Sequence, residues 1–138
     1  MISQIRVITE GEKNRLLAVA RQALAHAYAP YSNFRVGAAV LTQTGQIFAG
    51  CNVENVSYGL SMCAERNAIA SAVLAEGGDT MKIKAIAVVN HRNIPCSPCG
   101  ACRQVIWEFG KTAIVIYQGD NQLEVCNATE LLPAGFSF

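Results

Sequence analysis

The chain has 138 residues, 51% of them hydrophobic and 15% charged, with a net charge of +1. Charged residues make up roughly 25% of an average soluble protein, and the few here form no run, so the clustered Lys/Arg footprint of a nucleic-acid binder is missing. No apolar stretch approaches the roughly 18 residues of a membrane span, and residues 1–15, with Glu10, Glu12, Lys13 and Arg15, hold no apolar leader core.

The reading from these numbers is a soluble, cytoplasmic chain forming a single domain over residues 1–138. A domain of this length buries enough surface to fold without a staple. Its sparse charge fits a surface partly covered by other copies of the chain, or simply a large core.

Residues 10–27 read as an amphipathic helix, with Leu16, Leu17, Val19, Ala20, Ala23, Leu24 and Ala27 at helical spacing. Pro30-Tyr31-Ser32-Asn33 breaks it. Residues 36–41 and 47–53 are apolar runs around a turn, in which Gly45 is free to take a positive φ. Residues 63–75, rich in alanine, read as a buried helix ended by Gly77-Gly78. Residues 83–90 suit a central strand. Residues 98–109 read as a helix opened by Pro98 and closed by Gly110. Residues 113–117 read as a second central strand, 123–126 as an edge strand and 129–132 as one helical turn. Strands alternating with helices after an opening hairpin imply a mixed sheet with helices on its faces.

Three of the six cysteines, Cys96, Cys99 and Cys102, fall within seven residues. That clustering favours a metal over a disulfide framework. Cys99 and Cys102, at i and i+3, share one side of a helix start. Unpaired amides and the positive dipole end favour the thiolate there. A tetrahedral catalytic zinc needs a third protein ligand and keeps its fourth position open. Cys63 opens the other helix, and Glu65 follows at i+2. On an ideal helix their side chains diverge by about 200°. They can therefore serve one site only if it lies over the open end of that helix. Two helix starts would then converge on one metal. Cys51 and Cys126 read as small apolar side chains, and His26 and His91 as surface or core histidines.

At these residues the chain resembles the small, homotetrameric, zinc-dependent cytidine deaminases. The resemblance runs through Pro30-Tyr31-Ser32-Asn33-Phe34-Arg35-Val36-Gly37-Ala38-Ala39 and Gly50-Cys51-Asn52-Val53-Glu54-Asn55. It continues through Cys63-Ala64-Glu65-Arg66 and Ser97-Pro98-Cys99-Gly100-Ala101-Cys102-Arg103-Gln104, and closes with Glu130-Leu131-Leu132-Pro133. It implies a three-layer α/β/α fold with a five-stranded mixed sheet. It implies one Zn²⁺ per subunit, held by Cys63, Cys99 and Cys102, with Glu65 as the proton shuttle. The activity implied is deamination of free cytidine and 2′-deoxycytidine in pyrimidine salvage. Asn52 and Glu54 look like ribose contacts, and Phe34 would pack on the pyrimidine. The amides of Ala64 and Cys99 would orient ring and water. Tyr58 and Phe136 would reach a neighbouring subunit's site in a homotetramer.

Three thiolates and Zn²⁺ sum to −1, which makes bound water less acidic than at a histidine site. Arg66 and Arg103 each follow a site residue directly, and one or both are therefore expected to donate to the sulfurs. Val56, Cys96 and Asn67 depart from the family pattern and bear on substrate preference more than on chemistry.

Other readings stand beside this one. A blasticidin S-type aminonucleoside deaminase shares the zinc motifs, although Asn52 and Glu54 favour cytidine. Polynucleotide-editing deaminases generally place a histidine at the Cys63 position, and a nucleotide deaminase needs a phosphate site. In a non-catalytic zinc module Cys96 would close a four-thiolate site, and Glu65 would be an ordinary helix-start carboxylate.

Overall fold

The computed structural model describes residues 8–138, so residues 1–7 of the stretch read above as leader-free lie outside it. Helix α1 (Glu10–Leu24) starts on a reciprocal cap. Thr9 Oγ1 accepts from the Glu12 amide and the Glu12 carboxylate accepts from the Thr9 amide, each at 3.0 Å. The helix stops three residues short of the expected end. The His26 and Ala27 amides reach back only three residues, to Ala23 and Leu24. Tyr28 then pairs with the segment around Val53, its amide donating to the Asn52 carbonyl at 3.0 Å and its carbonyl accepting from the Glu54 amide at 2.8 Å.

Strands β1 (Val36–Thr42) and β2 (Ile47–Cys51) form the expected hairpin, with Gly45 at φ 91°. β2 ends two residues early because Val53 bridges Tyr28 and Met62 instead of β1. A short 3-10 turn (Tyr58–Leu60) leads into helix α2 (Ala64–Glu76), which ends at Gly77 with φ 91°. Strand β3 (Ile83–Asn90), helix α3 (Gly100–Phe109), strands β4 (Ile114–Gln118) and β5 (Leu123–Asn127), and the single turn α4 (Ala128–Leu131) complete the chain. Helix α3 begins two residues later than expected, because Cys99 is its extended N-cap and Pro98 lies outside. An Asn127–Glu130 capping box starts α4.

The sheet order is β2-β1-β3-β4-β5. β1 is antiparallel to both β2 and β3, β4 is parallel to β3, and β5 is antiparallel to β4. The one parallel pair requires a crossover, and α3 provides it. Strand alternation divides the core. Ala39, Leu41, Ala85, Ala87 and Ile116 meet Leu16, Leu17 and Ala20 of α1. Val40, Ile86, Val88 and Val115 meet Ala68, Ile69 and Ala72 of α2 and Ile106 of α3. The result is the expected three-layer α/β/α arrangement with a five-stranded mixed sheet.

Two glycines set how closely the helices lie on the sheet. A Cβ at Gly37 would stand 2.0 Å from the Ala20 carbonyl oxygen, and one at Gly50 would stand 2.3 Å from the Ala68 nitrogen. Gly50 thus lets the first turns of α2 press onto β2. Asn67 fixes that contact, its Nδ2 donating to the Cys51 carbonyl at 2.8 Å. Among the described residues no helix is long and apolar enough to cross a membrane.

Candidate active site

Helices α2 and α3 both begin on a cysteine. Cys63 and Cys99 are the extended N-caps, and neither sulfur caps its own helix. Cys102 follows one turn into α3 and is fully buried. The three sulfurs lie within 4.8 Å of one another, with Cys63 Sγ and Cys99 Sγ 4.0 Å apart. A zinc ion held at about 2.3 Å by thiolates sets tetrahedral S···S edges of about 3.8 Å, so the donor set and its spacing fit that metal. Cys96 is not in the group, which leaves three sulfurs and removes the basis for a closed four-thiolate site.

Arg66 stands one turn after Cys63, and its Nη2 donates to Cys63 Sγ at 3.3 Å. The Cys102 thiol, donating to the same sulfur, and Arg66 together bring the Cys63 thiol down to about 5. That hydrogen bond and burial push Cys102 upward. The cluster therefore favours the thiolate form of Cys63, as expected at a helix start beside a cation.

Glu65 is 5% exposed. Burial, with the neighbouring Cys63 charge adding to it, raises its carboxyl from 4.5 to about 7. Such a group is divided between acid and base near neutrality, which is what a proton shuttle requires. As the sequence required, Cys63 and Glu65 share a site over the open end of α2. Both line a cavity of about 260 Å³ with Val36, Asn52, Ala64, Cys96, Ser97 and Cys99. Glu54 and Ser61 also border an adjoining cavity of about 320 Å³, lined by Tyr31, Ser32 and Tyr58.

Several expected residues behave differently. Arg103 makes no hydrogen bond to a sulfur; its guanidinium goes to Pro98, Ser97 and Leu131. On a helix, adjacent residues point about 100° apart, so following Cys102 directly turns Arg103 away from the metal cluster. Phe34 does not line the thiol cavity. Its ring lies 6.2 Å from that of His91 and 5.7 Å from the Arg92 guanidinium carbon. Val36 takes the wall position instead, together with Ser61, Met62 and Ser97. These four carry no chemical signature in sequence.

Asn52 lines the cavity, but its amide also serves the backbone. Oδ1 accepts from the Val36 amide at 2.9 Å and Nδ2 donates to the Phe34 carbonyl at 2.8 Å. One amide hydrogen is left over. Glu54 accepts from the Tyr31 and Ser32 amides at 2.9 and 3.1 Å, and from the Ser32 hydroxyl. Those bonds, the hydroxyl's foremost, lower its pKa. Tyr58 is 76% exposed, with Tyr31 edge-on at 6.2 Å. Phe136 is also exposed, and within this chain it borders a different hollow, with Trp107 and Phe138. Ala64 is buried at the first residue of α2, where its amide faces the open helix end.

A three-thiolate metal site beside a sheltered carboxyl on a mixed α/β/α sheet defines a zinc-dependent deaminase. Known proteins agree with that class. A family model described as "Cytidine and deoxycytidylate deaminase zinc-binding region" matches residues 11–118. A cytidine deaminase of Sporosarcina psychrophila is 45% identical over 127 residues, covering 89% of this chain and 90% of that protein. The crystal structure of cytidine deaminase from Burkholderia pseudomallei superposes with a TM-score of 0.81 at 46% identity, covering 94% of this chain and 100% of the other. That of Mycobacterium tuberculosis gives 0.77 at 39%, covering 91% and 97%. The chain belongs to the cytidine and deoxycytidylate deaminase family, and its curated relatives are hydrolases.

Proposed function

We propose that this chain hydrolyses the 4-amino group of free cytidine and 2′-deoxycytidine, giving uridine or 2′-deoxyuridine and ammonia, as a cytoplasmic enzyme of pyrimidine salvage. The observation that carries this reading is the Glu65 carboxyl, enclosed beside three converging thiols in a cavity. Cys63, Cys99 and Cys102 would hold one zinc ion per subunit. Bound there, zinc supplies a hydroxide nucleophile at neutral pH by lowering the pKa of water to about 7.

The remaining chemistry falls to the chain itself. Glu65 accepts the proton of the attacking water and delivers it to ring N3, which makes C4 electrophilic. Once the tetrahedral centre has formed, Glu65 takes the second water-derived proton from the C4 hydroxyl and passes it to the amino group; the C4–N bond breaks, ammonia leaves, and C4 keeps the oxygen as a carbonyl. The position of Glu65 near half-protonation suits both directions of transfer. Burial keeps bulk water from competing for that proton. The Ala64 and Cys99 amides lie at open helix starts and would orient the base. Arg66 offsets the surplus charge of the thiolates.

Asn52 and Glu54 both line the cavity and have spare capacity for hydroxyl groups. Their first task is to fix the backbone around Phe34 and the Tyr31–Ser32 turn, so ribose binding is an added use of groups already held rigid.

Support for a homotetramer comes from exposed apolar side chains gathered on one stretch: Val53, Val56, Tyr58, Leu60 and Met62, beside Tyr28 and Tyr31. Tyr58 and Phe136 would complete a neighbour's site, a reading that their exposure in the single chain supports. Sedimentation at a monomer's mass would remove this part of the proposal.

The decisive experiment is ammonia release from cytidine by the zinc-loaded protein, with Glu65→Ala run beside it. The expected result is steady release by the native chain, and none by the variant with zinc still bound. Equal release by both would refute the role of Glu65, and no release by either would refute the substrate.

A further inference from the structure

The residues leading into α3 carry a metal ligand and a cavity wall, yet the backbone there has few partners of its own. Pro98 has no N–H, and the nearest ladder-like bond is two residues further back, from the Cys96 amide to the Gln118 carbonyl at 2.8 Å. Among the described residues, the side-chain hydrogen bonds reaching Ser97 and Pro98 all come from Arg103. Its Nε donates to the Pro98 carbonyl at 2.7 Å and its Nη2 to Ser97 Oγ at 3.1 Å. The third arm, Nη1, donates to the Leu131 carbonyl at 3.1 Å, on the last residue of α4. A planar guanidinium holds such an array rigidly, because its donors are fixed relative to one another.

We propose that Arg103 is a positioning residue for the deaminase site. It fixes the Ser97–Pro98 segment against α4, and so fixes the Cys99 sulfur and the Ser97 face of the cavity. The charge on Arg103 acts through the loop and not through the sulfurs, which Arg66 serves instead. Pro98 is fully buried, so its carbonyl has no water to fall back on when the guanidinium is removed. The loop would then rotate to find another donor, and Cys99 would move with it. The C-terminal turn α4, distant in sequence from the cysteines, is by this route the anchor of the metal-binding loop.

Asn52 and Glu54, the proposed ribose contacts, follow β2 and share no hydrogen bond with Arg103, so the two halves of the site separate in kinetics. The inference rests on the zinc-deaminase reading, but one of its readouts does not depend on activity. Arg103→Gln and Arg103→Lys would be purified with zinc, and metal release to a chelator would be timed alongside cytidine kinetics. For Arg103→Gln a misplacement of the loop on the ångström scale predicts kcat lower by about 10- to 100-fold, with KM within about 3-fold. Metal release should be faster than in the native chain. Lysine, a single point donor, should recover part of both effects. The cobalt-substituted variant should show altered thiolate charge-transfer bands.

Native kcat and native metal release in Arg103→Gln would overturn the proposal. So would a parallel loss in kcat and KM with unchanged metal release and unchanged cobalt bands. Should Arg103→Gln fail to fold, Arg103→Lys decides alone: faster metal release with lower kcat supports the role, and native values overturn it. Faster metal release in a chain that does not deaminate cytidine would uphold the loop role while refuting the substrate.

Discussion

The Glu65 carboxyl carries a cost that can be measured without substrate. Its pKa is about 7 in the folded chain against 4.5 for the free group. Below pH 4.5 it is protonated in both states and costs nothing. Between 4.5 and 7 the unfolded chain ionises first, so stability falls as pH rises. Above 7 the penalty is constant, with a ceiling of about 3 kcal/mol from the size of the shift. In the metal-free protein, Glu65→Gln should therefore match the native chain in denaturant melts at pH 4.5 and exceed it at pH 8. Equal stability at both values would contradict the burial argument. Arg66→Gln should leave the zinc bound but slow turnover at neutral pH by about 10- to 100-fold, since a hydrogen bond to a charged group is worth about 1.5–3 kcal/mol. Unchanged turnover would refute the charge-offsetting role. Arg66 was legible in the sequence because it stands three residues from Cys63, which makes them neighbours on a helix. Of the two arginines, one or both of which were expected to serve the sulfurs, only Arg66 donates to one; adjacency to Cys102 gives Arg103 no such geometry. The tasks of Asn52 and Glu54 were half legible: their types suit a sugar diol, but their bonds to the backbone at Phe34, Val36 and the Tyr31–Ser32 turn are tertiary contacts that no local pattern encodes.

At the level of elements, the existence and type of every α-helix and strand among the described residues could be read from period and punctuation, whereas the 3-10 turn at Tyr58–Leu60 could not. The ends could not, where a distant partner set them. Helix α1 stops early because Tyr28 pairs with Val53, and β2 stops early for the same reason. The capping box at Thr9 and Glu12 is written in the sequence as a Thr-x-x-Glu pattern, whereas the close approach at Gly50 is visible only once α2 is seated on β2. That approach gives a test. Gly50→Ala must push back the Ala64 and Ala68 backbone, for an overpacking cost of about 1–3 kcal/mol. Since Cys63, Ala64 and Glu65 all ride on that end of α2, the variant should also lose zinc more readily and turn over more slowly. A variant that melts lower but keeps native zinc retention would show that the helix start moves independently of its body.

For the whole molecule, the question is what the fold needs from the metal. The sheet is covered on both faces, by α1 on one and by α2 and α3 on the other, and the two apolar clusters do not depend on the thiols. Removing zinc with a chelator should therefore lower the melting temperature while leaving the far-ultraviolet circular dichroism and a cooperative transition in place. A chain that unfolds on chelation would behave as a small zinc module does, and the site would then be structural first.

The pairing of two cysteine N-caps has one more consequence. In most helices the N-cap side chain satisfies an exposed amide of its own helix, and here Cys63 and Cys99 decline that task. An ion bound to both sulfurs becomes a rivet between the starts of α2 and α3, doing for two helices jointly what a serine or aspartate does for one. Its departure would let both first turns fray together. Glu65 rides on the first turn of α2, so the enzyme would lose its proton carrier in the same event that cost it its nucleophile. Idle, metal-free chains would not be left holding a poised but unproductive base.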